Sequence, residues 1–180
     1  MPHLHLSLQA GDDLTLKRMR RRHLRADAVR MVEQLKAKRD IAIGADLIAG
    51  FPTESDAMFA NTLALIDDCD IVHAHVFPYS PRAGTPAARM PQVAGDVARA
   101  RAARLRERAA MRRRAWLNGM IGSEQPIVLE KPGDRGHAPG FADVRLAETQ
   151  PASAIGRIFS VRVAQATDSH LIGHLIGTIE

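Results

Sequence analysis

Three runs with strand character, HLHLSLQ from His3, IAIGADLIAGF from Ile41 and IVHAHVFPY from Ile71, are separated by segments of helical periodicity. That succession limits the fold more than any other feature. Within RADAVRMVEQLKAK, Ala28, Val29, Val32 and Leu35 fall near one helical face. Within SDAMFANTLALIDDC, Met58, Phe59, Leu63 and Ile66 fall together, and Ser55 or Thr53 is placed to cap the start. The second strand run is apolar on much of both sides, as in a parallel sheet covered by helices. Successive βα units of this kind pair in parallel through right-handed crossovers. Three strands cannot close a barrel, so the segment reads either as an open α/β sheet or as the trailing part of a (β/α) barrel.

The first run carries His3, His5, Ser7 and Gln9 on one side and Leu4, Leu6 and Leu8 on the other. Two readings stand for that polar side, a barrel interior or a half-exposed edge strand. His73 and His75 alternate in the same way on the third run. An i,i+2 spacing recurs by chance and no carboxylate is tied to it in sequence, so no metal site is read here.

From Ala94 to Met120 the pattern is one long basic helix whose inner face is expected to be Val97, Leu105, Ala109 and Trp116. From Arg99 to Arg114, Arg99, Arg101, Arg104, Arg106, Arg108, Arg112, Arg113 and Arg114 stand against Glu107 alone. Such charges repel one another without i,i+4 partners. The helix is therefore either a solvated outer face or a phosphate-facing surface. After Gly122 the texture changes to short β-rich runs, QPIVLEK, GFADVRL, IGRIFSVRV and SHLIGHLIGTI, broken by Gly, Pro, Asp and Ser. These predict a small, mostly antiparallel barrel or curled sheet.

A length of 180 residues with 46% apolar content suits a folded chain of one or two domains. The net charge of +5, supplied mainly by arginine, is compatible with nucleic acid as a partner. The single cysteine, Cys69, excludes an intramolecular disulfide and any cluster held by several cysteines of this chain. Cys69 itself reads as a residue of helix packing or capping. There is no apolar run of membrane-spanning length and no signal-peptide pattern, so a cytoplasmic chain without a membrane partner is expected.

Ligands of parallel α/β folds collect at the carboxyl ends of the strands. Gln9 to Asp12, Gly50 to Glu54 and Pro78 to Arg82 are placed there. Gly44 and Gly50 would let a ligand approach the backbone, and Glu54 would stand near a helix start, where negative charge is favoured. No Walker or dinucleotide fingerprint is present.

PHLHLSLQAGDD, LKRMRRRH, GADLIAGFPTE and VFPYSPRAGTPAARM, in that order, resemble the later part of radical S-adenosylmethionine methylthiotransferases. The resemblance is greatest to the tRNA branch acting on N6-threonylcarbamoyladenosine beside the anticodon. It implies the C-terminal portion of a radical-SAM (β/α) barrel in residues 1–118, followed by an RNA-binding, TRAM-like antiparallel β-barrel in 119–180. It also implies S-adenosylmethionine as cofactor, tRNA as partner and [4Fe–4S] clusters in the parent family. By the same resemblance, Gly44, Asp46, Ile48, Gly50 and Glu54 belong to the motif that lies against the adenosine part of the cofactor. Ser7 and Gln9 match strand positions facing the site, Arg21 is a candidate for the cofactor's carboxylate, and Tyr79 and Arg82 match the last active-site loop.

Arg106, Arg112, Arg113 and Arg114 of the helix, with Arg145, Arg157 and Arg162 of the β-rich part, are the RNA-contact candidates. The chain departs from the family in lacking the cluster cysteines and in reading QAG, with Ala10, where QSG is usual. The expectation is a parent enzyme that performs methylthio transfer and a chain that is inactive by itself. An upstream fragment of the same enzyme is one partner that would complete it. A remnant or RNA-binding module without catalysis is the rival reading.

Overall fold

The computed structural model describes residues 2–179. The described residues divide into two compact units, Leu4–Arg112 and a second of residues 113–179 that also takes in residues 2–3.

The first unit alternates strands and helices: β1 (His3–Gln9), α1 (Asp13–Arg18), α2 (Arg25–Lys36), β2 (Ala42–Ala49), α3 (Asp56–Asp68), β3 (Ile71–Pro78) and most of α4 (Gly95–Asn118). Local chemistry sets the helix starts. The Asp12 carboxylate accepts from the Thr15 N–H at 3.0 Å, and the Ser55 hydroxyl accepts from the Met58 N–H at 3.2 Å. Asp27 accepts from the Leu24 N–H at 2.9 Å, so a carboxylate serves the first turn of α2 as well. The sheet order is β1-β2-β3, and β2 and β3 run parallel with Asp46 opposite His75 and Ile48 opposite Phe77.

The core of this unit lies on one side of the sheet. Ile43, Ala45, Leu47 and Ala49 of β2 pack with Phe59, Leu65, Ile66 and Cys69 of the α3 region, with Ala28 and Val32 of α2, and with Ala102, Leu105 and Ala109 of α4. Cys69 is the C-terminal cap of α3 and is fully buried. The buried stripe of α4 corrects the expected one. Leu105 and Ala109 face inward, but the stripe continues through Ala102 and Ala98, and Val97 is 38% exposed. Arg101 lies in that stripe and is buried.

The second unit is a closed barrel of β4 (Glu124–Glu130), β5 (Arg135–Ala138), β6 (Ala142–Leu146), β8 (Leu171–Ile179) and β7 (Ile158–Ala166), in that order around the ring. Its pairs are antiparallel except β6–β8, which is parallel and completes the closure. The interior is filled by Ile127, Leu129, Val144, Phe159, Val161, Val163 and Leu171, with Leu117 and the half-buried Trp116 packed against them. Alternate positions such as Arg145 and Arg162 point to solvent. Strands pass so closely that a Cβ on Gly136 would stand 2.2 Å from the Val128 carbonyl oxygen. No described helix is long and apolar enough to cross a membrane.

Candidate functional site

The ends of β1, β2 and β3 meet at a cavity of about 560 Å³, within the size range of small-molecule sites. Gln9 closes β1, Asp46 and Ile48 come from β2, and Phe77, Pro78 and Tyr79 come from the end of β3. Ser80, Arg82, Thr85 and Ala87 of the following loop complete the wall. A neighbouring cavity of about 280 Å³ shares Gln9, Ile48, Thr85 and Ala87 and adds Arg18, Arg21 and Phe51.

These walls are fixed by the backbone. The Tyr79 N–H donates to the Ala49 carbonyl at 2.8 Å, holding the loop after β3 beside the end of β2. The Tyr79 ring meets Phe51 edge to face at 5.2 Å. The Thr85 hydroxyl donates to the Arg82 carbonyl at 2.8 Å. Gln9 has φ of 70°, a left-handed conformation that costs a side-chain-bearing residue roughly 1–3 kcal/mol. Such strain gathers at ligand sites, and Gln9 lines both cavities. Just beyond it, the Gly11 N–H donates to the Thr62 hydroxyl at 3.0 Å. Burial tends to push the Asp12 carboxyl up, but hydrogen bonds from Thr15 and Asn61 outweigh it and hold Asp12 below its ordinary value.

The sequence-placed candidates therefore separate. Gln9, Asp46, Ile48, Tyr79 and Arg82 share one cavity and Arg21 reaches the adjacent one. Ser7 and Gly44 line neither. Gly50 and Glu54 serve the interior. A Cβ on Gly50, which has φ of +74°, would stand 2.3 Å from the Ala98 Cβ, so the glycine admits the close approach of α4. The Glu54 Oε2 accepts from the Gly50 N–H at 2.9 Å and from Arg101 at 2.8 Å. Arg101 also donates to the Glu54 carbonyl at 2.9 Å and to Asp56 at 2.6 Å. Burial pushes the Glu54 carboxyl up from its ordinary value, against the Gly50 N–H and Arg101, and Oε1 is buried without a hydrogen-bond partner among the described residues.

A cluster that sequence patterning missed lies on the same sheet. Asp46 Oδ1 is 3.0 Å from His5 Nε2 and 3.3 Å from His75 Nδ1. Periodicity told which side of each strand the histidines occupy, but only the register of β2 against β3 sets Asp46 beside His75.

The arginines of α4 also find acids that their own helix lacks. Arg108 meets Asp67 at 2.7 Å, Arg112 meets Asp70, and Arg104 lies over the Phe59 ring at 4.8 Å. Arg106 donates to the Val76 carbonyl at 2.9 Å. In the barrel unit Arg113 pairs with Asp143 at 2.8 Å, and Arg114 pairs with Asp168. Mutual repulsion along α4 is thus largely relieved inside the chain. Arg145, Arg157 and Arg162 are exposed on the barrel, where Arg162 pairs with Glu124.

No protein-family model matches the chain. It is 41% identical over 172 residues to the threonylcarbamoyladenosine tRNA methylthiotransferase MtaB of Rickettsia prowazekii, covering 95% of this chain and 40% of that protein. It is 40% identical over 185 residues to the tRNA-2-methylthio-N(6)-dimethylallyladenosine synthase of Maricaulis maris, covering 99% and 40%. With the synthase of the same name from Paracoccus denitrificans the identity is 37% over 179 residues, covering 97% and 40%. The chain spans about 40% of the length of these curated relatives, and over that span it is homologous to tRNA methylthiotransferases.

Proposed function

We propose that this chain serves in tRNA modification as part of an enzyme that transfers a methylthio group to N6-threonylcarbamoyladenosine next to the anticodon by radical S-adenosylmethionine chemistry, and that alone it does not catalyse the transfer. The cavity at the ends of β1, β2 and β3 carries this reading, because it gathers Gln9, Asp46, Ile48, Tyr79 and Arg82 from separated motifs. In this reading the first unit is part of a radical-SAM barrel and the closed barrel is the TRAM-like, RNA-binding domain. Ile48 supplies an apolar surface for the adenosine, Gln9 and Asp46 supply polar groups, and Arg21 or Arg82 faces the cofactor's carboxylate.

S-Adenosylmethionine, when bound, would supply a sulfonium open to one-electron cleavage, the electron coming from a donor outside this chain. A [4Fe–4S] cluster does not fit this chain, since thiolates must hold it and Cys69 is the single cysteine. That thiol is fully buried, and burial with the neighbouring Asp68 pushes it up to about 11. The chain's own part is to bind and orient. Calorimetric titration with S-adenosylmethionine tests it: weak binding is expected, and at least about tenfold weaker binding after Ile48→Asp, a difference of about 1.4 kcal/mol. Equal heats for the two proteins would remove the cavity from the reading.

The rival reading, an RNA-binding module without catalysis, is favoured by the same lone cysteine. Both readings predict binding to an anticodon stem-loop that weakens with salt. A log–log slope near −3 to −5 corresponds to roughly four or five phosphate contacts. Replacing Arg145, Arg157 and Arg162 with alanine is expected to flatten that slope, and an unchanged slope would take the barrel out of the interface. Binding of RNA without S-adenosylmethionine binding would select the module.

A further inference from the structure

We propose that His5, Asp46 and His75 form a binding site for one divalent transition-metal ion, zinc foremost. The proposal goes beyond the tRNA reading and does not depend on it. Two imidazoles and a carboxylate are a donor set for zinc and its neighbours in the first transition row, whereas magnesium and calcium favour oxygen donors alone.

The geometry is close to what an ion requires. Atoms bound to one tetrahedral zinc at about 2.0–2.1 Å stand about 3.3 Å apart. Here His5 Nε2 and His75 Nδ1 lie 3.0 and 3.3 Å from the same Asp46 oxygen, and all the donor atoms fall within 4.8 Å of one another. The imidazole rings are 4.7 Å apart between centroids and tilted by 37°, so modest rotation of either ring aims its nitrogen at a common point. The scaffold is a sheet, not a loop: Asp46 and His75 are register partners on β2 and β3, and His5 stands on β1. Strand placement fixes the donors' separation before any ion arrives, which lowers the cost of ordering them.

The side chains of His5 and Asp46 are each 30% exposed and that of His75 is 64% exposed. An ion can therefore enter from solvent, and three protein donors leave it a further position for water or a ligand. Asp46 also lines the larger cavity, so the cluster borders it. Two bridging hydrogen bonds to Asp46 are the plain alternative, and they would need no ion.

The test uses the whole chain after dialysis against a chelator. Titration with cobalt(II) is expected to produce visible bands of a four- or five-coordinate ion that saturate at one equivalent. Zinc is expected to displace it, and magnesium in excess is not. His75→Ala and Asp46→Asn are each expected to weaken zinc binding at least about tenfold, as measured against a chromophoric chelator. His174→Ala, on the barrel, is expected to change nothing. Metal-free thermal melts check folding, and because His75 is exposed its variant decides the matter should Asp46→Asn misfold. Absence of a saturable cobalt spectrum, or equal zinc affinity in His75→Ala and the wild type, overturns the proposal.

Discussion

In the α/β unit, Arg101 and Glu54 meet with 8% and 1% of their side chains exposed, whereas in the barrel Arg162 and Glu124 meet with 53% and 52% exposed. Both pairs obey the same Coulomb attraction, but their surroundings give it different consequences. A pair in water gains little because solvent screens it and two long side chains must be held still. A buried pair has given up its hydration, so either partner left alone is a serious defect. The open sheet uses buried charge to fix the turn after β2. The barrel fixes its strands by closing on itself, and its charges are free to face outward. Polar interactions in the first unit therefore specify shape, while in the second they decorate it.

The largest expected effect breaks that contrast at its source. Glu54→Ala should destabilise the α/β unit by about 3–5 kcal/mol, because Arg101 loses its buried partner and the Gly50 N–H loses its acceptor. Urea unfolding followed by labelling of Cys69 reads this unit alone, since the fully buried thiol is the chain's single cysteine. Leu129→Ala in the barrel core should cost about 2–5 kcal/mol. That loss is followed by the fluorescence of Trp116, the single tryptophan, which packs on the barrel core. Coincident transitions by both probes in each variant would show one cooperative structure and erase the distinction between the units.

An acid titration sharpens the comparison further. Burial raises Asp70, yet Lys36 and Arg112 outweigh it and hold its carboxyl below the ordinary value; Asp12 is depressed by its own hydrogen bonds. Carboxyls depressed in the folded state contribute stability that is fully present above their unfolded value of about 3.9 and is lost as pH falls through their lower folded values. Glu54, which is raised, has the opposite sign and favours folding as pH falls through its folded value. The depressed pair should dominate below about pH 4, and Asp70→Asn should shallow the decline in urea midpoint below that pH. An identical decline in the variant would remove Asp70 from the account. The smallest effect belongs to the barrel surface, where Arg162→Ala should change stability by about 0–1 kcal/mol. A loss comparable to that of Glu54→Ala would mean that exposed charge is structural in the barrel too.

Much of the layout was legible from local patterning. The strand runs from His3, Ile41 and Ile71 became β1, β2 and β3, and Ser55 does cap α3, because alternation and capping are local. The β-rich tail after Gly122 was legible for the same reason, although the parallel β6–β8 closure was not, since a pairing partner is not written into a strand. Arg101 resembled its neighbours on a charged helix. Its acids, Glu54 and Asp56, lie far back in sequence, and only packing reveals that it points inward. The same blindness to register hid Asp46 from His5 and His75. Gly50 is ambiguous for a subtler reason: a glycine after a strand admits either a ligand or another backbone, and Ala98 stands where its side chain would be.

The Gly50–Ala98 contact also bears on which sequences can build this site. Two small residues, one at the end of β2 and one in the first turns of α4, form a joint whose tolerance is set by the bulkier of them. Enlarging Ala98 would push on the strand two residues from Ile48 and reshape the cavity without altering one lining side chain. Substitutions at these positions should therefore be inherited together, and a library that diversifies the visible cavity wall alone would leave its most sensitive control untouched.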